Sequence, residues 1–543
     1  MPAVDSYTSQ KQSGTVPCVL FEDEHLLVVN KPAGLNTHAP APYSGEGIYD
    51  WLRRREPRWA DLAIIHRLDK ETSGVIVFSK TALASRSSTR QFAERQVRKK
   101  YLLATDKPVK SPSATVVSTL VRAGEKYFSR PSVSPNDRAE TRFRVRETVR
   151  GCTLLEAEPI TGRTHQIRVH AADQGFPILG DLLYGGSAAN RLFLHSEELS
   201  LKHPATAAPI RFRAEADFSA DIRLGLRAAL IDPRATSAHR LLHGAPDGWP
   251  GWHVDRFGDY LLSQTSEPLS DAQRKLLEEW SRRLSLRGVY HKTLLRRVQQ
   301  AAAGENCPRL IAGEAAPEAF AIRENGVNYE IRFGDGYSVG LFLDQRENRR
   351  RFLSRYVGAG FPWRAASGGS LEVLNTFAYT CGFSVCAALG GARVTSLDLS
   401  KKYLEWGRQN FLLNGLPPDQ HEFICGDVFE WLRRLKRKNR RFDIVVLDPP
   451  TFSQSKQFGA FQVEKHLGRL VRECLPILKR DGVLFASANA AGWLPEDFLE
   501  TIKRAIAISG HRAAREHYVP QPPDFPVSRR EPAYLKTVWL CIE

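Results

Sequence analysis

The sequence predicts a multidomain protein that joins an α+β module on a mixed sheet, a small β-rich segment and a Rossmann-like, doubly wound α/β module. Three observations predict this. The chain has 543 residues, too many for one core at roughly 100–200 residues per domain. Its first 220 residues carry short apolar runs separated by polar turns, a strand pattern. From residue 371 onward strands and helices alternate, as in a parallel sheet wrapped by helices.

Hydrophobic content of 42% and charged content of 25% are those of a globular protein. Lys and Arg number 77 against 60 acids, a net +17. That excess points to a polyanionic partner, because cationic side chains gain affinity by releasing counterions from phosphates. The first eighteen residues are polar, so no signal peptide is expected. No run reaches the ~18 apolar residues of a membrane span. The eight cysteines are scattered and none has Cys-x-x-Cys spacing, which predicts neither a zinc site nor a disulfide framework. A reducing, cytoplasmic setting is expected.

Residues 1–16 are expected to be a disordered tail. A hairpin-like pair follows, Val19–Phe21 and Leu26–Pro32, ending in a Lys-Pro-Ala-Gly turn. Leu62–Ile65 and Val75–Phe78 read as two strands around the polar string His66-Arg67-Leu68-Asp69-Lys70-Glu71-Thr72-Ser73-Gly74. A carboxylate flanked by cationic groups thus lies on a loop aimed by buried strands, a common place for a catalytic group. Arg-x-Asp alone is more often a solvated turn; the full string is far more specific. A helix is predicted from about Leu83 to Arg95, then a basic turn and strand over Val97–Leu103. Leu154–Ile160 alternates as a strand and leads into Thr161-Gly162-Arg163-Thr164-His165-Gln166-Ile167-Arg168-Val169-His170.

These motifs, in this order, resemble RluA-type pseudouridine synthases over about residues 17–220. Pro177–Asp181, Leu194–Ser196 and Phe212–Ala214 resemble the closing segments of that family. The resemblance implies that Asp69 is the catalytic carboxylate, Tyr101 the active-site tyrosine and Arg168 the partner that keeps the carboxylate charged. It implies no cofactor and no metal. The chemistry is consistent: breaking N1–C1′, turning the base and joining C5 to C1′ needs a poised carboxylate but no redox group. A guanidinium beside a desolvated carboxylate favours its charged form. The base must leave its stack to reach Asp69. His66 and Arg67 are expected to frame the loop, with RNA contact as a second role; Arg163 and His165 are expected on the RNA side.

Residues 221–236 look like a linker. From 237 to 330, Gly, Pro and Asp mark tight turns between short strands, as in His239–Gly244 and Asp247–Asp259. This part resembles the small connecting domain of the RlmI and RlmK group of large-subunit rRNA methyltransferases. Val339–Arg349 resembles the strand end and basic helix that precede the cofactor domain of that group. In the last part, residues 331–543, the first strand ends at Asn375 and the loop Thr376–Gly382 follows. Asp398, Asp427 and Asp448 end the next three strands, the last in a rigid Asp448-Pro449-Pro450-Thr451-Phe452 loop. An Asp after a strand is usually a turn residue, but the ordered set closed by Asp-Pro-Pro resembles class I S-adenosylmethionine (SAM) methyltransferases. A nicotinamide domain would need Gly-x-Gly-x-x-Gly at the first loop, which is absent. The resemblance implies SAM bound by Asn375, Tyr379, Gly382, Asp398, Asp427 and Asp448, with Pro449, Pro450 and Phe452 toward the RNA base. The group usually has glycine where Cys381 stands.

The RlmI type methylates cytosine C5 with the help of a cysteine in the stretch here written Ser487-Ala488-Asn489; that cysteine is absent. The segments Tyr403–Trp406 and Asp448–Ser453 look more like the RlmK type, which methylates guanine N7. The expectation is a bifunctional enzyme acting on RNA, with large-subunit rRNA as the substrate. The alternative is a live synthase with the rear domain as an RNA-binding platform. The basic run Arg433–Arg441 is either a solvated face or a phosphate contact.

Overall fold

The computed structural model describes residues 16–543 except 46, 133, 135, 136, 150, 295–306, 337, 364–368 and 456–458. The expected disordered tail therefore lies outside the described residues, save Val16. Two compact units are present: residues 1–39, 47–53 and 58–232, and residues 233–543 with the stretches 40–46 and 54–57. Among the described residues no helix is long and apolar enough to cross a membrane.

The first unit is built on a mixed sheet of eleven strands among the described residues. Its order begins Val19–Glu22, Leu26–Lys31, Ser73–Ser79, Leu194–Lys202, Arg98–Thr105 and Cys152–Pro159. It ends with Arg138–Val149, Ser113–Ala123 and Lys126–Arg130. Ser73–Ser79 is buried at every position, as its unbroken Val-Ile-Val-Phe run requires of a strand covered on both faces. It pairs antiparallel with Leu26–Lys31 and parallel with the start of Leu194–Lys202. Gly74 sits at that parallel contact with φ +116°, and a Cβ there would lie 2.2 Å from the Ser196 carbonyl oxygen. That close approach is why the polar string ends in glycine.

Residues 221–236 are not a linker throughout. Asp221 caps a helix, Ile222–Leu230, by accepting from the Arg223 and Leu224 N–H groups. Leu226, Leu230 and Ile231 enter the core beside Trp51, Trp59 and Phe78. Arginines at 223 and 227 mask this amphipathic pattern in the sequence.

In the second unit, Ala238–His243, His253–Phe257, Tyr260–Thr265, Gly288–Thr293 and Arg309–Gly313 form a five-stranded sheet. The seven-stranded sheet that follows runs Glu422–Cys425, Arg393–Asp398, Glu372–Thr376, Phe442–Leu447, Leu478–Asn489, Leu535–Ile542, Ala513–Pro520. Its first five strands are parallel and the last two pair antiparallel. The expected basic helix exists as Arg346–Ser354, yet its arginines point inward. Arg346 makes a two-pronged ion pair with Asp524 at 2.8 and 2.7 Å, and Arg349 one with Glu324 at 2.7 Å on both prongs. Guanidiniums so desolvated are committed to their carboxylates and are not offered to phosphate. The Arg433–Arg441 run belongs to the helix Val428–Arg437 and the turn after it. Leu432 and Leu435 are buried while Arg433, Lys436 and Arg437 are exposed, an arrangement that a solvated face and a phosphate contact both require. Ten helical residues put its far end ~15 Å from Asp427 at the helix start.

Candidate active sites

In the first unit the loop carrying Asp69 is tied from below. The Lys31 ammonium is fully buried and donates to the carbonyls of Pro32, Leu35 and Lys70 at 3.0, 2.7 and 3.2 Å. Burial pulls its pKa down to about 7, against the opposing charges of Glu71 and Asp69. The Thr37 hydroxyl donates to the Leu68 carbonyl at 2.8 Å and accepts from the Leu68 N–H at 3.1 Å. Gly34 N–H donates to Lys70, and Thr72 N–H to the Asp69 carbonyl. Asp69 is thereby presented on a fixed loop with its side chain 28% exposed.

Arg168 and His165 face it. Arg168 Nη1 lies 3.7 Å from Asp69 Oδ2, and His165 Nε2 lies 4.0 Å from the same oxygen. Arg168 is itself held by Asp181, whose carboxylate accepts from Nε at 2.7 Å and from Nη2 at 2.8 Å. This pair is buried, with side chains 7% and 1% exposed. The geometry leaves Nη1 toward Asp69. A network under the turn before the helix Gln166–Asp173 fixes the register: Gln166 accepts from Thr161 and Arg163 and donates to Glu140 and Thr141. Tyr101 lies on Arg98–Thr105 between Ala157 and Ser196. Burial raises its pKa to about 12, a Ser196 hydrogen bond partly offsets this, and Asp69 adds to the rise. The phenol therefore keeps its proton at neutral pH.

His66 sits in the framing place, the first of the two roles expected of it. Its Nε2 accepts the Val77 N–H at 3.1 Å, and its ring stacks on Phe92 at 4.9 Å. Burial lowers its pKa to about 3, so it stays neutral. Arg67 and Arg163 are exposed, as an RNA-facing role needs. Asp181 and Tyr184 were not singled out as site residues from the sequence. Their signal was Gly180-Asp181 in a closing segment, thirteen residues after Arg168, with no way to pair the two by spacing. Replacing Asp181 with Ala strands a buried guanidinium. Denaturant unfolding is expected to show the first unit weakened by about 3–5 kcal/mol, with ligand binding in the second unit unchanged.

In the second unit a cavity of about 1150 Å³ lies at the carboxyl ends of the strands, where such folds bind ligands. Tyr379, Gly382, Asp398, Asp427, Asp448, Pro449, Pro450 and Phe452 all line it. Asn375 does not. Its side chain points between sheet and helix, where Nδ2 donates to Ser384 Oγ at 2.9 Å, because strand alternation turns it from the strand end. Between Thr376 and Gly382, Phe377, Tyr379 and Cys381 all take left-handed φ, at 55°, 50° and 63°. Such strain, of order 1–3 kcal/mol each, persists only where the surroundings over-determine it. Here Asp398 Oδ2 accepts the Tyr379 N–H at 2.8 Å, Thr380 donates to the Gly340 carbonyl at 2.6 Å and Asn410 donates to the Thr380 carbonyl at 2.8 Å. Cys381 adopts the conformation a glycine would take, and its thiol packs against Gly407, where a Cβ would lie 2.4 Å from Sγ. Its side chain lies outside the cavity lining, so the departure from glycine leaves the site open.

The three acids differ in setting. Asp398 Oδ1 accepts the Ser400 N–H at 2.8 Å, and burial raises its pKa. Asp427 caps the helix Val428–Arg437 through the Glu430 N–H at 3.0 Å. Asp448 Oδ1 accepts from Ser487 Oγ and from Gln345 Nε2 at 3.0 Å, while Oδ2 has no donor among the described residues. Burial pushes Asp448 up to about 6. Gln345, not flagged from the sequence, is oriented in turn: its Oε1 accepts from Asn348 Nδ2 at 2.8 Å.

Comparison with known proteins shows which families the two units belong to. The family model of the S-adenosylmethionine-dependent methyltransferase matches residues 259–539. That of the RNA pseudouridylate synthase matches residues 25–173. The chain belongs to both families. The synthase unit is similar to ribosomal large subunit pseudouridine synthase C of Escherichia coli K12, 37% identical over 38% of this chain and 69% of that protein. The methyltransferase unit is similar to a ribosomal RNA large subunit methyltransferase of Deinococcus radiodurans, 34% identical over 59% of this chain and 77% of that protein. Ribosomal RNA large subunit methyltransferase I of Aeromonas salmonicida is 29% identical, over 71% of this chain and 92% of that protein.

The cavity of the methyltransferase unit suits SAM. Its acids stand at three successive strand ends, able to meet ribose hydroxyls, an amino group and a cationic centre, and no pyrophosphate cradle is needed. SAM brings a methyl group on a positively charged sulfur. Ionised Asp448 favours that cation, and protonated Asp448 does not. SAM affinity followed by calorimetry is therefore expected to strengthen as pH rises through about 6, by up to roughly tenfold, and Asp448→Asn to flatten the profile.

Proposed function

We propose that this chain isomerises uridine to pseudouridine in large-subunit rRNA with its first unit. Within its second unit, the domain of about residues 331–543 transfers a methyl group from SAM to guanine N7 of that RNA. In the first unit Asp69 acts on the nucleoside, Arg168 partners it, and Tyr101 faces the extruded base as a protonated phenol. Arg67 and Arg163 meet the RNA from the exposed side of the loop. In the second unit Tyr379, Gly382, Asp398, Asp427 and Asp448 hold SAM, while Pro449, Pro450 and Phe452 meet the acceptor base. Phe342 and Phe452, each 49% exposed, stand at the cavity as flat surfaces on which a base can stack.

The observation that carries the acceptor reading is the absence of cysteine from the cavity lining among the described residues. Cytosine C5 is a poor nucleophile until a thiolate adds to the ring. Guanine N7 has an exposed lone pair and needs only positioning toward the sulfonium methyl. Ser487, in the stretch where the cysteine of C5-methylating relatives is expected, instead donates to Asp448. The net charge of +17 suits a polyanionic substrate. The rear unit as a mere platform is disfavoured by a cavity with three acids at its strand ends.

Nucleoside mass spectrometry of rRNA from cells with and without the gene tests this directly. Loss of one pseudouridine and one 7-methylguanosine is expected. Loss of 5-methylcytidine instead would overturn the acceptor assignment and leave the synthase reading intact.

A further inference from the structure

The segment that anchors Arg168 also governs His165. Leu182–Tyr184 form one 3₁₀ turn directly after Asp181, and the Arg168 guanidinium lies 5.1 Å from the centre of the Tyr184 ring. The Tyr184 hydroxyl is 2.7 Å from His165 Nδ1. It also accepts the backbone N–H of Tyr127 at 3.0 Å. A backbone N–H only donates, so one lone pair of the hydroxyl is taken. Among the described residues the hydroxyl's own proton then has His165 Nδ1 as its acceptor within reach. An imidazole that accepts at Nδ1 carries its proton on Nε2. Nε2 is the nitrogen that faces the active carboxylate. The ring is boxed in by Tyr127 and Tyr184, both edge-on at 5.5 and 5.6 Å. Its backbone sits at φ 56° at the start of the helix Gln166–Asp173, with the carbonyl accepting the Val169 N–H at 3.0 Å. Burial lowers the His165 pKa and so favours the neutral ring.

We propose that Tyr184 is a positioning residue that fixes His165 as the Nε2–H tautomer, so that His165 donates a hydrogen bond to a carbonyl oxygen of the extruded uracil during pseudouridine formation. This rests on the reading of the first unit as a uridine isomerase. When N1–C1′ breaks, the electron pair leaves on N1 and spreads to O2 and O4. C5 then uses that pair to bond to C1′, the C5 proton is lost and N1 gains a proton, so the product is an isomer. The negative charge on the uracil oxygens is greatest between these steps. A preorganised donor there lowers the barrier. The other tautomer would turn a lone pair toward the same oxygen and raise it.

The test uses the full-length chain and an RNA substrate. Tyr184→Phe is expected to lower the single-turnover rate about 10- to 100-fold, with RNA affinity within about threefold. In a His165→Gln background the Tyr184→Phe loss is expected to shrink to under about twofold, since an amide has no tautomer to fix. Nitrogen-15 spectra of histidine-labelled protein, with the His165 signal assigned through His165→Gln, are expected to show a bare Nδ1 in the wild type and a tautomer mixture in Tyr184→Phe. A protonated Nδ1 in the wild type, a wild-type rate for Tyr184→Phe, or an undiminished loss in the His165→Gln background would each overturn the proposal. Asp69→Asn run alongside separates the two levels. Absence of pseudouridine from the wild type removes the isomerase reading and turnover in Asp69→Asn removes Asp69 from the mechanism, whereas an active wild type and a dead Asp69→Asn with a fully active Tyr184→Phe remove only the role given to Tyr184.

Discussion

Asp69→Asn is expected to abolish pseudouridine formation, by at least roughly 10⁴-fold, while RNA affinity stays within a few-fold. The amide keeps the size of the side chain but can neither add to the nucleoside nor take a proton from it. Arg168 retains Asp181 as its ion-pair partner in the variant, so the guanidinium is not left buried and alone. The supporting turn through Lys31 and Thr37 engages the backbone of the loop and is indifferent to residue 69. Folding should therefore be preserved, and the loss should be chemical. Single-turnover conversion of a uridine-containing rRNA fragment, read by nucleoside mass spectrometry beside a binding isotherm, gives both quantities. Turnover within tenfold of wild type would take Asp69 out of the mechanism.

Asp448→Ala is expected to cut methyl transfer by roughly 10²-fold or more without changing pseudouridine formation. The carboxylate is the cavity-lining group that both Ser487 and Gln345 point toward, so its removal leaves two donors aimed at a void and takes a negative charge from the cavity proposed to hold a cationic cofactor. Asp398→Ala is the companion variant: it should abolish measurable SAM binding, since the carboxylate also pins the Tyr379 N–H of the strained loop. Labelled-methyl transfer and pseudouridine yield measured on one RNA preparation separate the two activities. Loss of both activities in Asp448→Ala would show that the two reactions are coupled.

Some of the site was readable because its residues are local. His66–Gly74 is a single loop between two strands, and the strand-end acids 398, 427 and 448 each follow an apolar run with a recognisable break. Other parts were hidden because the partners are remote. Arg168 and Asp181 are thirteen residues apart, Gln345 and Asp448 are separated by 103 positions, and no periodicity links either pair. The helix Ile222–Leu230 reads as a linker in sequence because two arginines interrupt its apolar face, one of which is fully buried. Asn375 stands near a strand end, where a cofactor ligand is expected from sequence; which way a strand-end side chain turns depends on the layer it meets.

By itself the sequence determined two fused modules, their order, the absence of a nucleotide-cradling glycine loop and the candidate carboxylates of each. These follow from local pattern and residue chemistry, which a linear string carries in full. Only the tertiary structure decided that the Arg346–Ser354 arginines face inward, that Cys381 packs against Gly407 away from the cavity, and that Asp181 and Tyr184 aim Arg168 and His165 at one oxygen of Asp69. Orientation of that kind is settled when distant strands and helices close on each other and every buried polar group must find a partner.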